Sequence, residues 1–151
     1  MTEQNEEVLD NPTGWVAKQI RTYVESGGEK VQYMGLDTLL LTTRGRKSGK
    51  LRRTALFYGR DGDRYVLVGS NGGSAQHPLW YLNLLEEPNV RVQVGKEIFN
   101  ARARPATEEE RPALWKLMVG IMSHYEVFQK KTKREIPVVI VERADEPGPA
   151  S

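Results

Sequence analysis

Six cations fall within ten residues, with no acid among them: Arg44, Arg46, Lys47, Lys50, Arg52 and Arg53, with Gly45, Ser48 and Gly49 threaded between. The whole chain of 151 residues carries 22 basic and 20 acidic residues, a net charge of +2; without these six, 16 basic against 20 acidic residues leave −4. The positive charge is therefore concentrated in one segment. Backbone N–H groups freed by glycine form a concave anion site, and arginine forks and lysine ammoniums add charge-assisted bonds of about 1.5–3 kcal/mol each. A second polar segment, Ser70-Asn71-Gly72-Gly73-Ser74, has the composition of a strand-to-helix loop that brings N–H groups to one spot. Cysteine is absent, so there is no thiolate nucleophile, no disulfide and no thiolate metal ligand. With only His77 and His124, a histidine-rich metal site is excluded, and neither histidine accompanies a nucleophile motif. No metal site is assigned, and any catalysis must draw on a bound cofactor.

The elements that position these segments follow from the apolar pattern. Leu39-Leu40-Leu41-Thr42-Thr43 leads into the basic run and Thr54-Ala55-Leu56-Phe57-Tyr58 leads out, a hairpin with a loop of about ten residues. Asp61-Gly62-Asp63 and Gly95-Lys96 mark two tighter hairpins. Val90–Val94, 97–104 and 137–141 read as further strands, the first alternating apolar and polar residues. Asn11-Pro12 predicts a helix start, with Trp15, Val16, Ile20, Tyr23 and Val24 on one face. That face serves the core, or else covers a pocket or touches a membrane surface. Thr107-Glu108-Glu109-Glu110 predicts another helix start, before Leu114, Trp115, Leu117, Met118, Ile121 and Met122. A short helix is expected at 77–85 and another around Tyr125 and Phe128. About six strands, mainly joined by hairpins, with three or four helices give an α+β class, best fitted by a curled antiparallel sheet or small barrel with helices outside. Residues 1–10, with four acids and no base, are expected as a mobile tail, 11–143 as the folded domain and 144–151 as a disordered tail. The acidic N-terminus is not a secretory signal and no apolar run reaches the roughly 20 residues of a membrane span, so a cytoplasmic setting is expected.

The basic segment taken alone leaves three readings. It could be a solvated hairpin tip without a ligand, a nucleic-acid contact, or a seat for a phosphate-bearing cofactor. Nucleic acid is disfavoured: the run is short, no aromatic residue is interleaved, and the rest of the chain is net acidic. Nucleotide hydrolysis is disfavoured too, because Lys47-Ser48-Gly49 lacks the P-loop spacing and continues as strand. The second glycine-rich loop flanking the same strands favours the cofactor.

The motifs Thr42-Thr43-Arg44-Gly45-Arg46-Lys47-Ser48-Gly49, Arg52 with Leu56-Phe57-Tyr58, Gly72-Gly73, His77-Pro78-Leu79-Trp80-Tyr81-Leu82-Asn83-Leu84, Asn89-Val90-Arg91-Val92-Gln93 and Ile136-Pro137-Val138-Val139 together resemble the deazaflavin-dependent nitroreductase family. The resemblance spans residues 11–142. It implies a split β-barrel, usually dimeric, that binds coenzyme F420, a deazaflavin with a phosphate and an oligoglutamate tail. By position, Arg46, Lys47, Ser48, Gly49 and Arg52 would hold the phosphate and adjoining tail, and Lys50 and Arg53 would reach the glutamates. Ala55, Leu56 and Phe57 would lie along the ring. Ser70, Asn71, Gly72 and Gly73 would meet its pyrimidine-like edge, and Pro78, Leu79 and Trp80 would wall the pocket. Thr54-Ala55-Leu56 stands where the family often has Asn-Pro-Leu. A tyrosine cluster on the substrate side corresponds here to Met122, Tyr125 and Phe128, which with Trp15 form the expected substrate pocket and favour flatter, more apolar acceptors.

The implied reaction is hydride transfer to a quinone, with nitroaromatics as incidental acceptors. Tyr125 is the first candidate to hydrogen-bond or protonate the reduced acceptor, and Ser70 the second. His77 is expected as structural and His124 as exposed. Two alternatives stay open: a non-catalytic deazaflavin-binding protein, and a split-barrel reductase using FMN, whose tail is shorter and less anionic.

Overall fold

The computed structural model describes residues 6–144. Residues 1–5 and 145–151, half of the expected N-terminal tail and all but one residue of the C-terminal one, lie outside them. In chain order come β1 (Val8–Asp10), α1 (Gly14–Glu25), β2 (Gln32–Tyr33), β3 (Leu36–Arg44), β4 (Leu51–Phe57), β5 (Gly59–Asp61), β6 (Arg64–Val68), a 3₁₀ turn (Asn71–Gly73), α2 (Leu79–Glu86), β7 (Asn89–Val94), β8 (Glu97–Pro105), α3 (Arg111–Ile121), α4 (His124–Lys131) and β9 (Val138–Arg143). All nine strands join one sheet, in the order β1-β4-β3-β7-β8-β9-β6-β5, with β2 paired to β3 beside this path. Every pairing is antiparallel except β1 on β4. The sheet is not closed by hydrogen bonds, since β1 and β5 end it. The strand count exceeds the expected six because β1, β2 and β5 span only two or three residues, too few to show a period of two.

Alternation along the strands divides the core. Leu39 and Leu41 of β3, Tyr65 and Leu67 of β6, Val90 and Val92 of β7, and Val139 and Val141 of β9 meet Tyr81 and Leu84 of α2 on the concave side. For β3 and β6 to share this cluster the sheet must curl strongly. On the convex side, Leu40 and Ala55 meet Val16, Ile20 and Tyr23 of α1. Further round, Val66, Val68, Val138 and Ile140 meet Leu114 and Met118 of α3 and Tyr125 of α4.

Most of the α1 stripe serves this core, with Ile20 1% and Tyr23 0% exposed, whereas Val24, expected on the same face, is 46% exposed. The Tyr23 hydroxyl accepts a hydrogen bond from the Gly95 N–H at 2.7 Å and lies within bonding distance of the Thr38 and Gln93 carbonyls. Burial pushes its pKa up to about 12. Among the described residues no helix is long and apolar enough to cross a membrane.

Two sequence signals need correction. Residues 6–10 are not a free tail, because Val8–Asp10 pairs in parallel with β4, in register Val8↔Leu51 to Asp10↔Arg53. Pro12 is not the first helical residue: the Asn11 N–H still bonds the Arg53 carbonyl at 2.8 Å, so α1 starts only at Gly14. The expected capping box forms, but in the turn just ahead of α3, which begins at Arg111. The Thr107 N–H donates to Glu110 Oε1 at 2.8 Å, and the Glu110 N–H donates to Thr107 Oγ1 at 3.2 Å, a reciprocal capping box.

Candidate functional site

The basic hairpin is tighter than its sequence suggests. β3 and β4 pair up to Arg44↔Leu51, which leaves a six-residue turn, 45–50. The Gly45 N–H bonds the Lys50 carbonyl at 2.7 Å, and a Cβ on Gly45 would lie 2.7 Å from Ser48 Oγ and 3.1 Å from that carbonyl. A larger residue there would crowd the Ser48 side chain and the Lys50 carbonyl. Arg44, Arg52 and Arg53 thus stand on strands, where alternation sends them to different faces.

The six cations divide accordingly. Arg44 forks onto the Glu6 carboxylate and donates to the Gly49 carbonyl at 2.8 Å. Arg53 forks onto Asp10 at 2.6 and 3.1 Å. The bonded Arg44 guanidinium holds the Glu6 carboxyl below its usual range. Arg53, expected to reach a cofactor's glutamates, is therefore corrected: it is paired with the acid that β1 brings alongside. Arg46, Lys47, Lys50 and Arg52 make no ion pair among the described residues. Arg52 lies opposite Thr43, on the concave side, and approaches Ser48 Oγ at 3.5 Å.

Asn83 of α2 ties this turn to the rest of the site. Its side-chain oxygen accepts from the Arg46 N–H at 3.2 Å and from the Arg46 guanidinium at 3.3 Å, and its amide donates to Thr43 Oγ1 at 3.2 Å. Asn83 is 4% exposed. The sequence does carry its signal, a lone amide inside the apolar run Leu82-Asn83-Leu84-Leu85, since a buried amide needs partners. From the same helix start, Pro78 is buried, Trp80 is half-buried against Tyr81, and Leu79 is 66% exposed.

The loop after β6 is held from behind. Arg134, in the segment between α4 and β9, donates to the carbonyls of Ser74 at 2.9 Å, Gly69 at 3.2 Å and Ser70 at 2.8 Å, and lies 3.1 Å from His77 Nδ1. Burial and the Arg134 charge hold the His77 pKa below the ordinary imidazole value. Gly73, at φ +83°, is pressed on α4, where a Cβ would meet Lys131 Cβ and the Phe128 carbonyl at 3.0 Å. Arg134 gave no sequence signal, sitting in the charged run Lys130-Lys131-Thr132-Lys133-Arg134-Glu135.

Other expected site residues are dispersed. Of the strand beside the ring, Leu56 packs on the concave core, whereas Ala55 is buried under α1 and Phe57 stacks on Trp15 at 5.4 Å. Trp15 also stacks on Tyr33 at 4.5 Å. Met122, Tyr125 and Phe128 belong to the cluster over β6 and β9, so they share no packing cluster with Trp15. Tyr125 as proton donor is corrected. It is 4% exposed among apolar side chains, its hydroxyl makes no hydrogen bond among the described residues, and burial raises its pKa. Two surface clefts, of about 410 and 340 Å³, lie elsewhere, one lined by Arg60, Arg64 and Glu110 and the other by Pro12, Ile20 and Arg53. Neither contains the unpaired cations or the Arg134-held loop, and the chemistry of those donors outweighs concavity here.

Comparison with known proteins places the chain in a family. The family model described as F420H(2)-dependent quinone reductase matches residues 15–143. An F420H(2)-dependent quinone reductase of Mycobacterium tuberculosis is 38% identical over 109 residues, covering 70% of this chain and 73% of its own. A solved F420-H2 dependent reductase (FDR-A) superposes with a TM-score of 0.65 at 42% identity, over 70% of this chain and 93% of that one. A solved domain-swapped dimer gives 0.68 at 40% identity, over 87% of this chain and 100% of that one. With the family model matched over 129 of 151 residues (15–143), this chain belongs to the F420H(2)-dependent quinone reductases.

Proposed function

We propose that this protein passes a hydride from reduced coenzyme F420 to a quinone-like acceptor, with nitroaromatics as incidental substrates. One observation carries the assignment of the site: four cations without acid partners among the described residues, Arg46, Lys47 and Lys50 in the turn and Arg52 on the strand just after it, cluster where Asn83 fastens the turn to α2. This donor set fits a phosphate followed by carboxylates, and the Ser48 hydroxyl adds a neutral donor. The bound cofactor supplies the hydride. The chain's own task is placement: the turn holds the tail, the loop 70–73 meets the ring's polar edge, and Pro78, Leu79 and Trp80 form an apolar wall. The exposed Leu79 side chain offers a surface for a flat acceptor or ring. On a quinone acceptor, one hydride and one proton together convert both carbonyls to the hydroxyls of the hydroquinone, the proton coming from solvent or through the Ser70 hydroxyl. The strongly curled, unclosed sheet supports a split β-barrel, the domain-swapped relative supports a homodimer, and we assign the protein to the cytoplasm.

Parallel titration with F420 and FMN tests the cofactor. Tighter binding of F420, with menadione-dependent oxidation of its reduced form, is the expected result. Preference for FMN overturns the cofactor assignment, and tight quenching of F420 fluorescence without turnover makes the protein a binder.

A further inference from the structure

Arg134 makes more contacts than a surface cation needs. Its side chain reaches three carbonyls and one imidazole. Its own backbone is fixed as well: the Arg134 carbonyl accepts from Gln129 Nε2 at 2.8 Å, the Arg134 N–H donates to Thr132 Oγ1 at 3.3 Å, and Gln129 Oε1 accepts from the Ile136 N–H at 2.9 Å. A guanidinium held this way acts as a template for whatever it binds.

Peptide planarity gives this template a consequence on the far side of the loop. All peptides in the described residues are trans, so the N–H that follows each carbonyl points away from it. With the Gly69 and Ser70 carbonyls directed at Arg134, the Ser70 and Asn71 N–H groups are directed away. Among the described residues neither these two nor the Gly72 N–H donates a hydrogen bond. The backbone there runs from right-handed at Ser70 (φ −72°, ψ −35°) to positive φ at Asn71 (+47°) and Gly72 (+64°). Successive N–H groups across such a reversal converge on one point and form a nest for an electron-rich oxygen.

We infer that Arg134 is the positioning residue of this nest: by holding the Gly69 and Ser70 carbonyls it aims the N–H groups of Ser70 and Asn71, followed in the reversal by that of Gly72, at a carbonyl oxygen of the cofactor's uracil-like edge, and by donating to His77 Nδ1 it fixes that imidazole as the Nε2–H tautomer. An arginine stays protonated and has no acceptor, so Nδ1 must be the acceptor in this contact and the ring proton sits on Nε2. The Tyr81 ring lies against His77, with centroids 4.8 Å apart and planes tilted by 49°. The inference rests on the reading that loop 70–73 meets the cofactor ring.

The test uses the full-length chain, its Arg134→Gln and Arg134→Lys variants, and nitrogen-15 NMR of the protein without cofactor. Wild-type His77 should be the Nε2–H tautomer and titrate below the ordinary value of 6.5. In Arg134→Gln the amide signals of Ser70, Asn71 and Gly72 should move and His77 should titrate higher. Turnover of reduced F420 with menadione should fall about 10- to 100-fold, as for other supporting groups behind a binding shell, while F420 affinity, set by the distant turn, should change less than about threefold. Arg134→Lys, which replaces a fork by a single point donor, should recover only part of the turnover. Unmoved amide signals in Arg134→Gln overturn the inference, and so do moved signals with wild-type turnover. Should that variant fail to fold, wild-type His77 found as the Nδ1–H tautomer overturns it alone. Failure of the cofactor reading looks different: wild-type protein would not bind F420, and the spectra without cofactor would still decide whether Arg134 sets the loop.

Discussion

The turn at 45–50 and the loop at 69–77 both offer donors to an electron-rich ligand, and they are built in opposite ways. The turn uses exposed side chains. Lys47, Ser48, Gly49 and Lys50 are all exposed, and the specificity lies in which cations are left unpaired once Glu6 and Asp10 have taken Arg44 and Arg53. The loop uses its backbone, shaped from behind by one guanidinium and from below by Gly73 against α4. The first arrangement is long-ranged, weakened by salt and tolerant of small displacements. The second is short-ranged, insensitive to salt and dependent on geometry at the scale of a bond length. A cofactor with a charged flexible tail and a rigid heterocycle needs both kinds of contact.

The comparison breaks most visibly at the unpaired cations. Reversing Arg46 and Lys47 together to glutamate should weaken F420 binding by about 100-fold or more, since each lost charge-assisted bond is worth roughly 1.5–3 kcal/mol and repulsion adds to it. The loss should grow with oligoglutamate length, and the salt dependence of binding should shrink. Arg53→Gln, which removes a cation already paired with Asp10, should change affinity less than about threefold, because an exposed ion pair contributes at most about 1 kcal/mol. Fluorescence titration at two salt concentrations reads both. Equal losses for the two variants would show that the acids of β1 do not partition the turn.

That partition was not legible in the sequence, although the cations were. The run 44–53 announces an anion site through composition alone, and the hairpin turns at Gly62 and Gly95-Lys96 fall where their residues place them. Which face each cation takes depends on where pairing stops, and pairing runs up to Arg44↔Leu51, into the expected loop. The acids that neutralise two of the cations arrive through a three-residue parallel strand that no periodicity reveals. Arg134 is 64 residues from Ser70, and its partners are backbone carbonyls, which carry no residue-type signature. Tyr125 shows the converse error. Its spacing beside Met122 and Phe128 matched a functional cluster, yet the same spacing lays one face of α4 on the core, and packing buries all but 4% of the Tyr125 surface.

A second, smaller effect separates the two regions by stability rather than by affinity. Gly73→Ala forces a side chain into positive φ and against Lys131 and the Phe128 carbonyl, at an expected cost of about 1–3 kcal/mol. The open Gly49 position also has positive φ but nothing within 4 Å, so Gly49→Ala should cost only about 1 kcal/mol. Denaturant unfolding compares them. A larger loss at Gly49 would mean that the turn, not the loop, is the rigid member of the pair.

The smallest expected effect probes the acids themselves. The double variant Glu6→Gln with Asp10→Asn should tighten binding of long-tailed F420 by about two- to fivefold, within the range that exposed ion pairs allow, because Arg44 and Arg53 become available. Tightening should be absent for a cofactor fragment without glutamates. Acid should act in the same direction through Glu6. Its folded pKa is depressed below the ordinary 4.5, chiefly by the hydrogen bond from Arg44, so what it contributes to holding β1 is fully present above that value and is lost as pH falls through the folded pKa. Amide exchange at Val8, Leu9 and Asp10 should accordingly accelerate, relative to β3, only once pH drops below about 4.5, and the variant should show the faster exchange already at neutral pH. If the double variant instead binds F420 more weakly, the acids orient Arg44 and Arg53 toward the ligand, and the turn then acts, like the loop, through geometry set from behind.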